Sequence, residues 1–301
     1  MNFKKLTTQF VLDRLELPKG KLNMVLDTDT FNEVDDQFAL VYALRSPERL
    51  NLEAVYAAPF FNEKSEGPGD GMEKSYEEIQ RVLDKMNIKP KEGFVLKGST
   101  RYLESLDTPC DSEAVRDLIK RAMEAIEPLY IVAIGTITNI ASAILIEPQI
   151  IEKIVVVWLG GHSLYWHDTK EFNLEQDILA ARVVFDCGVP MVQIPCMNVV
   201  SHLTTTVAEL ERYMDGKSPI GSYLTQIVKD CIEDHCAYSR IIWDISAIAY
   251  LINPEWVPTN IVHSPILTDQ VTWSVDQRRH FIKSASHVDR DKIFKDLFMK
   301  V

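Results

Sequence analysis

Short runs of aliphatic and β-branched residues alternate along the chain with longer segments in which apolar residues recur at helical spacing. The run Ile154–Leu159 shows no polar alternation, as expected of a strand that is buried on both faces of a parallel sheet. Repeated strand–helix–strand units predict an α/β fold, an open and mostly parallel sheet flanked by helices. The predicted strands are 23–26, 52–57, 129–134, 154–159 and 191–194. The predicted helices are 34–44, 73–86, 112–125, 139–145, 178–187, 220–238 and 245–252.

The two ends of the chain and one glycine-rich segment depart from this alternation. The N-terminus begins like a signal peptide, but Asp13, Arg14 and Glu16 interrupt the apolar run and no small-residue cleavage site follows. We therefore expect a short amphipathic helix there. The glycines and proline of 67–71 predict an exposed flexible loop. The tail is predicted to form a strand pair, 261–267 with 270–275, and a final helix, 292–299.

Composition and charge narrow the class of protein. The 301 residues contain no internal repeat and no long polar linker, which predicts one domain over 22–301 after an N-terminal extension over 1–21. The balance of 32 basic against 44 acidic residues, a net charge of −12, argues against binding to nucleic acid or to an anionic membrane. No apolar stretch reaches the ~20 residues that a membrane-spanning helix needs.

The five cysteines are an odd number and are widely scattered. Their spacing fits neither a zinc site nor a disulfide framework, so we expect reduced thiols and a cytoplasmic location.

Candidate chemistry concentrates directly after the first predicted strand, where ligands of open α/β sheets bind. Five acidic residues lie within ten positions, and no Lys or Arg occurs between residues 22 and 44 to neutralise them. Two carboxylates ~4 Å apart repel by about 4 kcal/mol at an effective dielectric near 20. Oxygen ligands without His or Cys favour Ca²⁺ or Mg²⁺. The cluster therefore predicts a cation site. The five residues are Asp27, Asp29, Glu33, Asp35 and Asp36.

Two other interpretations of this cluster stay open. It could be a solvated acidic loop whose aspartates cap the next helix. It also partly matches the D-x-D signature of aspartyl phosphatases, with Asp27 as the nucleophile and Mg²⁺ as the cation. Phe31 stands at the fifth position of that signature, where Thr or Val is usual, which weakens the match.

Five motifs, taken in order, resemble the calcium-dependent nucleoside hydrolases of the inosine-uridine superfamily. Leu26-Asp-Thr-Asp with Asp35-Asp36 resembles the N-terminal aspartate motif, and Ala133-Ile-Gly-Thr-Ile-Thr-Asn139 resembles the family's TGPLTN segment. Leu159-Gly-Gly resembles MGG. Segment 171–181 resembles EFNxxxDPEAA, and segment 243–254 resembles the last aspartate motif. The resemblance spans roughly residues 23 to 258.

The resemblance implies an N-glycosyl hydrolase that splits a small-molecule ribonucleoside into base and ribose. It implies one Ca²⁺ held by Asp29, Asp36, Asp244 and the backbone carbonyl of Thr138, with ribose hydroxyls completing the oxygen shell. Asp35 corresponds to the general base that takes a proton from the attacking water. The family forms dimers and tetramers, so we expect a homodimer or homotetramer.

Further positions follow from the same motifs. Asn62, Glu171 and Asn173 correspond to residues that hold the ribose. Trp243 stands where many members carry His, but the purine-preferring branch has Trp there, stacked on the base. The resemblance therefore implies a purine nucleoside, although a core Trp at a helix start is the simpler interpretation of this residue.

The sequence departs from the family pattern at three places. The loop from Asp29 to Asp35 is two residues longer than usual and lacks Pro-Gly, so Asn32 either enters the pocket or lies in a surface turn. Tyr165 stands near a position where relatives have an Asn that contacts the 5′-hydroxyl, whereas His162 could reach the pocket. The family's active-site His between 98 and 125 is absent. The leaving-group contacts are therefore predicted on the helix before Trp243, at His235, Tyr238 and Arg240.

These observations favour Ca²⁺-dependent hydrolysis of ribonucleosides. Three alternatives remain: a hydrolase of another ribosyl conjugate, the Mg²⁺-dependent aspartyl phosphatase, and a sugar-binding module without turnover.

Overall fold

The structure, a computed structural model, describes residues 3–301 and is built around one eight-stranded sheet. The strands of the chain are β1 (Leu22–Thr28), β2 (Leu50–Ala57), β3 (Val95–Lys97), β4 (Leu129–Ala133), β5 (Ile154–Leu159), β6 (Met191–Ile194), β7 (Thr204–Thr205), β8 (Arg240–Ile241), β9 (Thr259–His263), β10 (Ile266–Leu267), β11 (Trp273–Ser274) and β12 (Phe281–Ala285). The order in the sheet is β3-β2-β1-β4-β5-β6-β12-β9. Only β9, at the edge, is antiparallel to its neighbour. The predicted α/β class and its mostly parallel sheet are confirmed.

Helices cover both faces of the sheet. They are α1 (Thr8–Leu15), α2 (Asp36–Leu44), α3 (Pro68–Lys85), α4 (Glu113–Glu124), α5 (Thr138–Ile146), α6 (Phe172–Gln176), α7 (Ile178–Asp186), α8 (Val207–Tyr213), α9 (Pro219–Lys229), α10 (Ile245–Ile252) and α11 (Arg290–Lys300). One apolar core packs α2, α3, α10 and α11 against the sheet, and a second packs α4, α5 and α7 against the other face. Every residue of β5 is buried between them, as its uniformly apolar sequence predicts.

The N-terminal segment packs against β12 of the main sheet. Thr7 caps α1 by accepting a hydrogen bond from Phe10 N, and Val11 and Leu15 are buried in the first core. Lys283 on β12 donates to the carbonyl of Leu15 at 2.8 Å. Among the described residues, no helix combines the length and the apolar character needed to cross a bilayer.

The helix predicted over 220–238 is wrong in its second half. It begins at Pro219 and ends at Lys229, and the chain continues through turns to Ser239. All residues from Cys231 to Ala237 are exposed, so no apolar face is buried there to stabilise further turns. Ala237 has a φ of 55°, which no helix accommodates.

Two further predictions are corrected. The glycine-rich segment is not a loop, because α3 begins at Pro68 and Gly71 is buried in its first turns. A Cβ at Gly71 would lie 2.0 Å from the carbonyl oxygen of Phe60, so glycine permits this close packing. In the tail, 261–267 does not pair as a whole with 270–275. β9 pairs instead with β12, and only the two-residue strands β10 and β11 pair with each other.

Candidate active site

A pocket of about 250 Å³ opens at the carboxyl end of the parallel strands. Its floor is formed where β1 leads into α2 and where α10 begins. Its walls are formed by the segments that follow β4, β5 and β6. This is the edge at which α/β sheets place their ligands. The sequence motifs that were singled out for their chemistry all lie at this edge.

Four aspartates meet at the floor of this pocket. Asp29 follows β1, Asp35 and Asp36 begin α2, and Asp244 begins α10. Carboxylate oxygens of Asp35, Asp36 and Asp244 lie within 4.8 Å of one another, and none of the four residues is more than 3% exposed. Residues more than 200 positions apart in the chain are thereby brought to one point, as the motifs predicted.

The floor carboxylates differ in their hydrogen bonds. Asp36 accepts from the Thr28 hydroxyl at 2.5 Å, and Asp35 Oδ2 accepts from the backbone N–H of Trp243 at 3.0 Å. Both oxygens of Asp29 are buried without a hydrogen-bond partner among residues 3–301. Buried acceptors of this kind cost about 1–3 kcal/mol each when nothing satisfies them. The arrangement indicates that another group satisfies Asp29.

Burial and mutual repulsion make the cluster hard to ionise. Burial raises the pKa of Asp29, Asp35 and Asp244 well above the ordinary range, and neighbouring carboxylates raise it further. Burial raises the pKa of Asp36 to about 6, against the opposing hydrogen bond from Thr28. Four buried carboxylates can all be ionised only if an opposite charge lies among them.

These residues fit a divalent cation. The donor set is composed of carboxylate oxygens, which Ca²⁺ and Mg²⁺ prefer, and the orphaned oxygens of Asp29 supply free ligands. The loop between β4 and α5 passes so close to Asp29 that a Cβ at Gly135 would lie 2.9 Å from Asp29 Oδ1. This close approach holds the carboxylate at the floor and supports the cation site. Thr138 begins α5 just beyond this loop. Its hydroxyl donates to Asp177 at 2.7 Å, and Thr138 is not on the pocket lining, whereas Ile134, earlier in the same segment, is. The calcium-ligand role of the Thr138 carbonyl stays a prediction.

Asn173 and Glu171 line the pocket wall beside the aspartates. The side-chain amide of Asn173 donates to the carbonyls of Ile134 and Leu159, each at 3.1 Å, at the ends of β4 and β5. Both amide hydrogens are therefore used within the protein, and the side-chain oxygen is left for a ligand.

Glu171 is held rigidly as the N-cap of α6. It accepts from the backbone N–H groups of Gly161 at 2.8 Å, Asn173 at 2.9 Å and Leu174 at 3.1 Å. Burial raises its pKa to about 7, although these hydrogen bonds favour the ionised form. Its position is therefore fixed by backbone, whatever its protonation state.

The long loop after β1 turns an asparagine into the pocket. Asn32 lines the pocket and is 7% exposed. Asn62, the predicted ribose contact, lies behind it and donates to Asn32 Oδ1 at 2.7 Å. Lys64 donates to the backbone carbonyl of Asn32, also at 2.7 Å. The structure thus places Asn32 on the lining and Asn62 in a supporting position.

The rim of the pocket contains a tryptophan and an ion pair. Trp243 is half-buried and lines the pocket. Arg240 forms an ion pair with Glu33, a lining residue, and its charge opposes part of the rise that burial causes in the pKa of Asp35. None of the three predicted leaving-group contacts is on the lining, and Arg240 meets it only through Glu33. Tyr238 is half-buried outside the pocket, and His235 is exposed, with its ring bonded to the carbonyl of Lys229 at 3.0 Å. The predicted helix that was to carry them ends before either residue.

His162, which the sequence analysis allowed to reach the pocket, lines it, and Cys196 and Met197 line it without a role assigned from the sequence. His162 is buried, and its Nδ1 accepts from the N–H of Met197 at 3.4 Å, which joins the segments after β5 and β6. Burial lowers the pKa of His162. Cys196 and Met197 come from a kinked turn in which Asn198 has a φ of 68°. Tyr165 is 94% exposed and outside the lining. No local motif in the sequence identifies the kinked turn as part of the site. Its position directly after β6, at the carboxyl end of the sheet, is the signal that could have identified it.

Asp27 lies beneath the pocket rather than on its surface. It is fully buried, and its Oδ1 accepts from the side-chain amide of Asn139 at 2.7 Å. Burial raises its pKa to about 7. A carboxyl that no substrate can reach makes a poor nucleophile, so the geometry opposes the aspartyl phosphatase interpretation.

Fold and site together define an α/β protein with a buried acidic pocket at the carboxyl end of its parallel sheet. Residues 68–295, well over half of the chain, match the family model described as inosine-uridine preferring nucleoside hydrolase. The chain therefore belongs to the inosine-uridine preferring nucleoside hydrolase family and is an N-glycosyl hydrolase.

Individual relatives are more distant. The chain is 29% identical over 266 residues to the pyrimidine-specific ribonucleoside hydrolase RihA of Enterobacter sp. (strain 638), covering 79% of this chain and 81% of the relative. RihA of Escherichia coli O9:H4 (strain HS) is 27% identical, covering 79% and 82%. Among solved structures, the purine-preferring ribonucleoside hydrolase from Gardnerella vaginalis superposes with a TM-score of 0.74 at 21% identity, covering 92% of this chain and 97% of that one. The inosine-uridine preferring enzyme from Bacillus anthracis gives a TM-score of 0.70 at 16% identity, covering 93% and 100%. These structures confirm the fold.

Proposed function

We propose that this protein hydrolyses the N-glycosidic bond of ribonucleosides in a Ca²⁺-dependent reaction, with a preference for purines, and releases free base and ribose. The observation that carries the proposal is the convergence of four buried aspartates beside Asn173. Two of their oxygens, both on Asp29, lack any hydrogen-bond partner among the described residues. Such a floor suits a cation with a polyhydroxylated ligand.

Asp35 acts as the general base. One of its oxygens is held by the N–H of Trp243, which fixes the orientation of the carboxylate. The other oxygen is free to accept a proton from the water that attacks C1′. Burial raises its pKa, which makes it a stronger base than an exposed carboxylate.

Asp29, Asp36, Asp244 and the carbonyl of Thr138 would hold the calcium ion. When bound, the ion supplies Lewis acidity and a fixed point for the ribose hydroxyls. Among the side chains, Asp29 is the least committed to other contacts, so it is the ligand most dependent on the ion.

Asn173 and Glu171 hold the sugar. The free side-chain oxygen of Asn173 accepts a ribose hydroxyl, because its amide hydrogens are already bonded to Ile134 and Leu159. Departure of the base leaves positive charge on the sugar ring, and the surrounding carboxylates stabilise that charge. Fixing the ribose against them removes much of the entropic part of the barrier.

The purine preference is supported by Trp243, whose ring lines the pocket and offers a stacking surface for the base. Arg240, paired with Glu33 at the same rim, is the proposed contact for the leaving base. A pyrimidine preference is the second candidate, because both curated relatives named above are pyrimidine-specific. The homodimer or homotetramer and the cytoplasmic location remain parts of the proposal.

One assay tests this function. The purified protein is incubated with inosine, adenosine, uridine, cytidine, 2′-deoxyinosine and a phosphomonoester, with and without a chelator, and both reducing sugar and phosphate are measured. We expect sugar release from ribonucleosides, larger for purines, lost with the chelator and restored by calcium. A 2′-deoxy substrate should react poorly because it lacks one of the two hydroxyls.

Other outcomes discriminate among the alternatives. Turnover of uridine in preference to inosine would overturn the purine assignment alone. Phosphate release without sugar release would support the phosphatase. Calcium-dependent ribose binding without any turnover would indicate a sugar-binding module. If the protein is inactive on all nucleosides but hydrolyses another ribosyl conjugate, that conjugate and not a nucleoside is the substrate class.

A further inference from the structure

The lining of the active-site pocket offers many hydrogen-bond acceptors and few donors. Its six carboxyl groups only accept when they are ionised, and both amide hydrogens of Asn173 are already bonded to backbone carbonyls. Among the described residues that line the pocket, four side chains have an N–H left to donate. They are Asn32, His162, Lys170 and Trp243.

The orientation of the Asn32 amide is determined by a short chain of hydrogen bonds. The backbone N–H of Lys64 donates to Asn62 Oδ1 at 2.9 Å, so the other end of the Asn62 amide is its NH₂ group. That group donates to Asn32 Oδ1 at 2.7 Å. Because a backbone N–H cannot accept, the direction of each bond is fixed, and the NH₂ group of Asn32 is the end that remains for the pocket.

The backbone of Asn32 is held as firmly as its side chain. Its N–H donates to the carbonyl of Asp29 at 2.7 Å, and its carbonyl accepts from Lys64 Nζ at 2.7 Å. Asn32 is 7% exposed, and its Nδ2, which makes no hydrogen bond within residues 3–301, reaches the pocket surface instead of being sealed beneath it. A donor that is fixed before the substrate binds stabilises a developing charge without any reorganisation.

The three other donors are less suited to meet the leaving base. His162 belongs to the segment whose preceding residue, Gly161, is bonded to Glu171, so it lies on the side proposed to hold the sugar. Lys170 is exposed and has no ion pair within the described residues to fix its ammonium. Trp243 is proposed to present its ring face to the base.

We propose that the side-chain amide of Asn32 donates a hydrogen bond to the departing base and is a catalytic group of the hydrolysis, an inference that rests on the proposed function. Asn32 stands in the chain between Asp29 of the floor and Glu33 of the rim, and the glycosidic bond is expected between those two levels. As the bond from C1′ to the base breaks, its electron pair stays on the base. The amide stabilises that negative charge without giving up a proton.

The acceptor on the base follows from the chemistry of the two candidate substrate classes. A purine has ring nitrogens, N3 and N7, on the two sides of its glycosidic nitrogen. A pyrimidine has an acceptor on one side only, the carbonyl O2, which corresponds in position to N3. A group that only donates therefore suits N3 of a purine or O2 of a pyrimidine, whichever class the enzyme prefers.

Steady-state kinetics with adenosine measure the contribution of the amide. In Asn32→Ala we expect kcat/KM to fall about 10²-fold, as for the loss of one fixed donor to a developing charge. Asn260→Ala is the matched control, because Asn260 is an exposed asparagine on β9 outside the lining, and it should behave like the wild type. Calorimetry should give wild-type calcium affinity for both variants.

A second variant removes the donor without changing Asn32. In Asn62→Asp the new carboxylate cannot donate to Asn32 Oδ1, and it accepts from the NH₂ group of Asn32 instead. The Asn32 amide is thereby turned, and its oxygen faces the pocket. We expect kcat/KM for adenosine to fall by about the same factor as in Asn32→Ala.

Binding of base analogues identifies the contact itself. 3-Deazaadenosine and 7-deazaadenosine each have a C–H in place of one acceptor, and both are titrated by calorimetry into the full-length, calcium-loaded Asp35→Asn variant, so that the ligand is not consumed. The readout is the dissociation constant of the 3-deaza analogue divided by that of the 7-deaza analogue. Adding Asn32→Ala should lower this ratio about tenfold, the size of one hydrogen bond between neutral groups.

The outcomes separate this inference from the function on which it rests. A purely structural role of Asn32 would weaken both analogues alike, and an unchanged ratio overturns the proposal. A ratio that rises places the contact at N7 and overturns the assignment to N3. Wild-type turnover of adenosine that is unaffected in both Asn32→Ala and Asn62→Asp overturns the catalytic role alone. If the wild type hydrolyses no nucleoside, the proposed function fails, whereas the titrations still decide whether Asn32 contacts the base. Absence of binding by both analogues overturns the contact as well.

Discussion

The floor and the rim of the active-site pocket are built in different ways. The floor aspartates stand at a strand end or in the first turns of α2 and α10, are at most 3% exposed, and are anchored by packed regular elements. The rim residues Glu33 and Arg240 come from an elongated loop and a two-residue strand, and they hold each other through a partly exposed ion pair. Rigid elements thus position the proposed metal ligands and general base, while loops, which tolerate change, form the rim that is proposed to meet the leaving base.

The largest effect expected from this difference is at Asp35 on the floor. Asp35→Asn keeps the shape and can still accept from the N–H of Trp243, but it cannot take a proton. We expect kcat to fall about 10³-fold with KM near the wild-type value, because general base catalysis contributes roughly 10²–10⁴-fold. Steady-state kinetics with the best nucleoside measure the fall, and calorimetry measures calcium affinity, which should stay close to wild type. A variant that keeps more than about a tenth of the wild-type kcat would remove Asp35 from this role.

The second effect tests whether the floor depends on close packing. In Gly135→Ala the new Cβ would lie 2.9 Å from Asp29 Oδ1, so the carboxylate must move. We expect calcium affinity to fall about 10–100-fold, the range seen when groups that orient metal ligands are changed. Calorimetric calcium titration measures it. Gly67→Ala is the control, because nothing lies within 4 Å of a Cβ at that position. Equal calcium affinity in both variants would show that Asp29 does not hold the ion.

The third effect moves to the rim. Trp243→Leu removes the aromatic face but keeps the backbone N–H that holds Asp35. Because aromatic stacking contributes about 0.5–1.5 kcal/mol, we expect kcat/KM for inosine to fall up to ~10-fold. The value for uridine should change less, and calcium affinity should not change. The ratio of the two kcat/KM values is the readout, and an unchanged ratio would contradict stacking on a purine.

The difference between the floor and the rim also explains how much of the fold and of the site can be predicted from the sequence. The strand pattern and the acidic floor are predictable, because uniformly apolar runs identify buried strands and their carboxyl ends converge by topology. The position of Asn32, and not Asn62, on the lining depends on how a lengthened loop folds back against Lys64, which no local pattern encodes. The kinked turn at Asn198 is likewise a consequence of tertiary contacts.

Helix α9 shows the limit of periodicity. Its apolar pattern extends toward Tyr238, but the helix stops at Lys229 because residues 231–237 find no surface to pack against. Because the helix ends there, the three predicted leaving-group contacts do not share one helix face and lie in different environments. Arg240 reaches the rim, whereas His235 is left exposed outside it.

The last comparison ranks the members of this group and includes the smallest expected effect, at His235. His235→Ala should change kcat and KM by less than about twofold, since exposed substitutions away from a site are nearly neutral. Arg240→Ala should lower kcat by about tenfold, because it removes a donor at the rim and leaves the carboxylate of Glu33 unpaired beside Asp35. Steady-state kinetics of both variants with inosine provide the comparison. If His235→Ala loses activity and Arg240→Ala does not, the turn after α9 closes over the pocket when substrate binds. The rim would then be assembled by residues that lie outside it in the free protein.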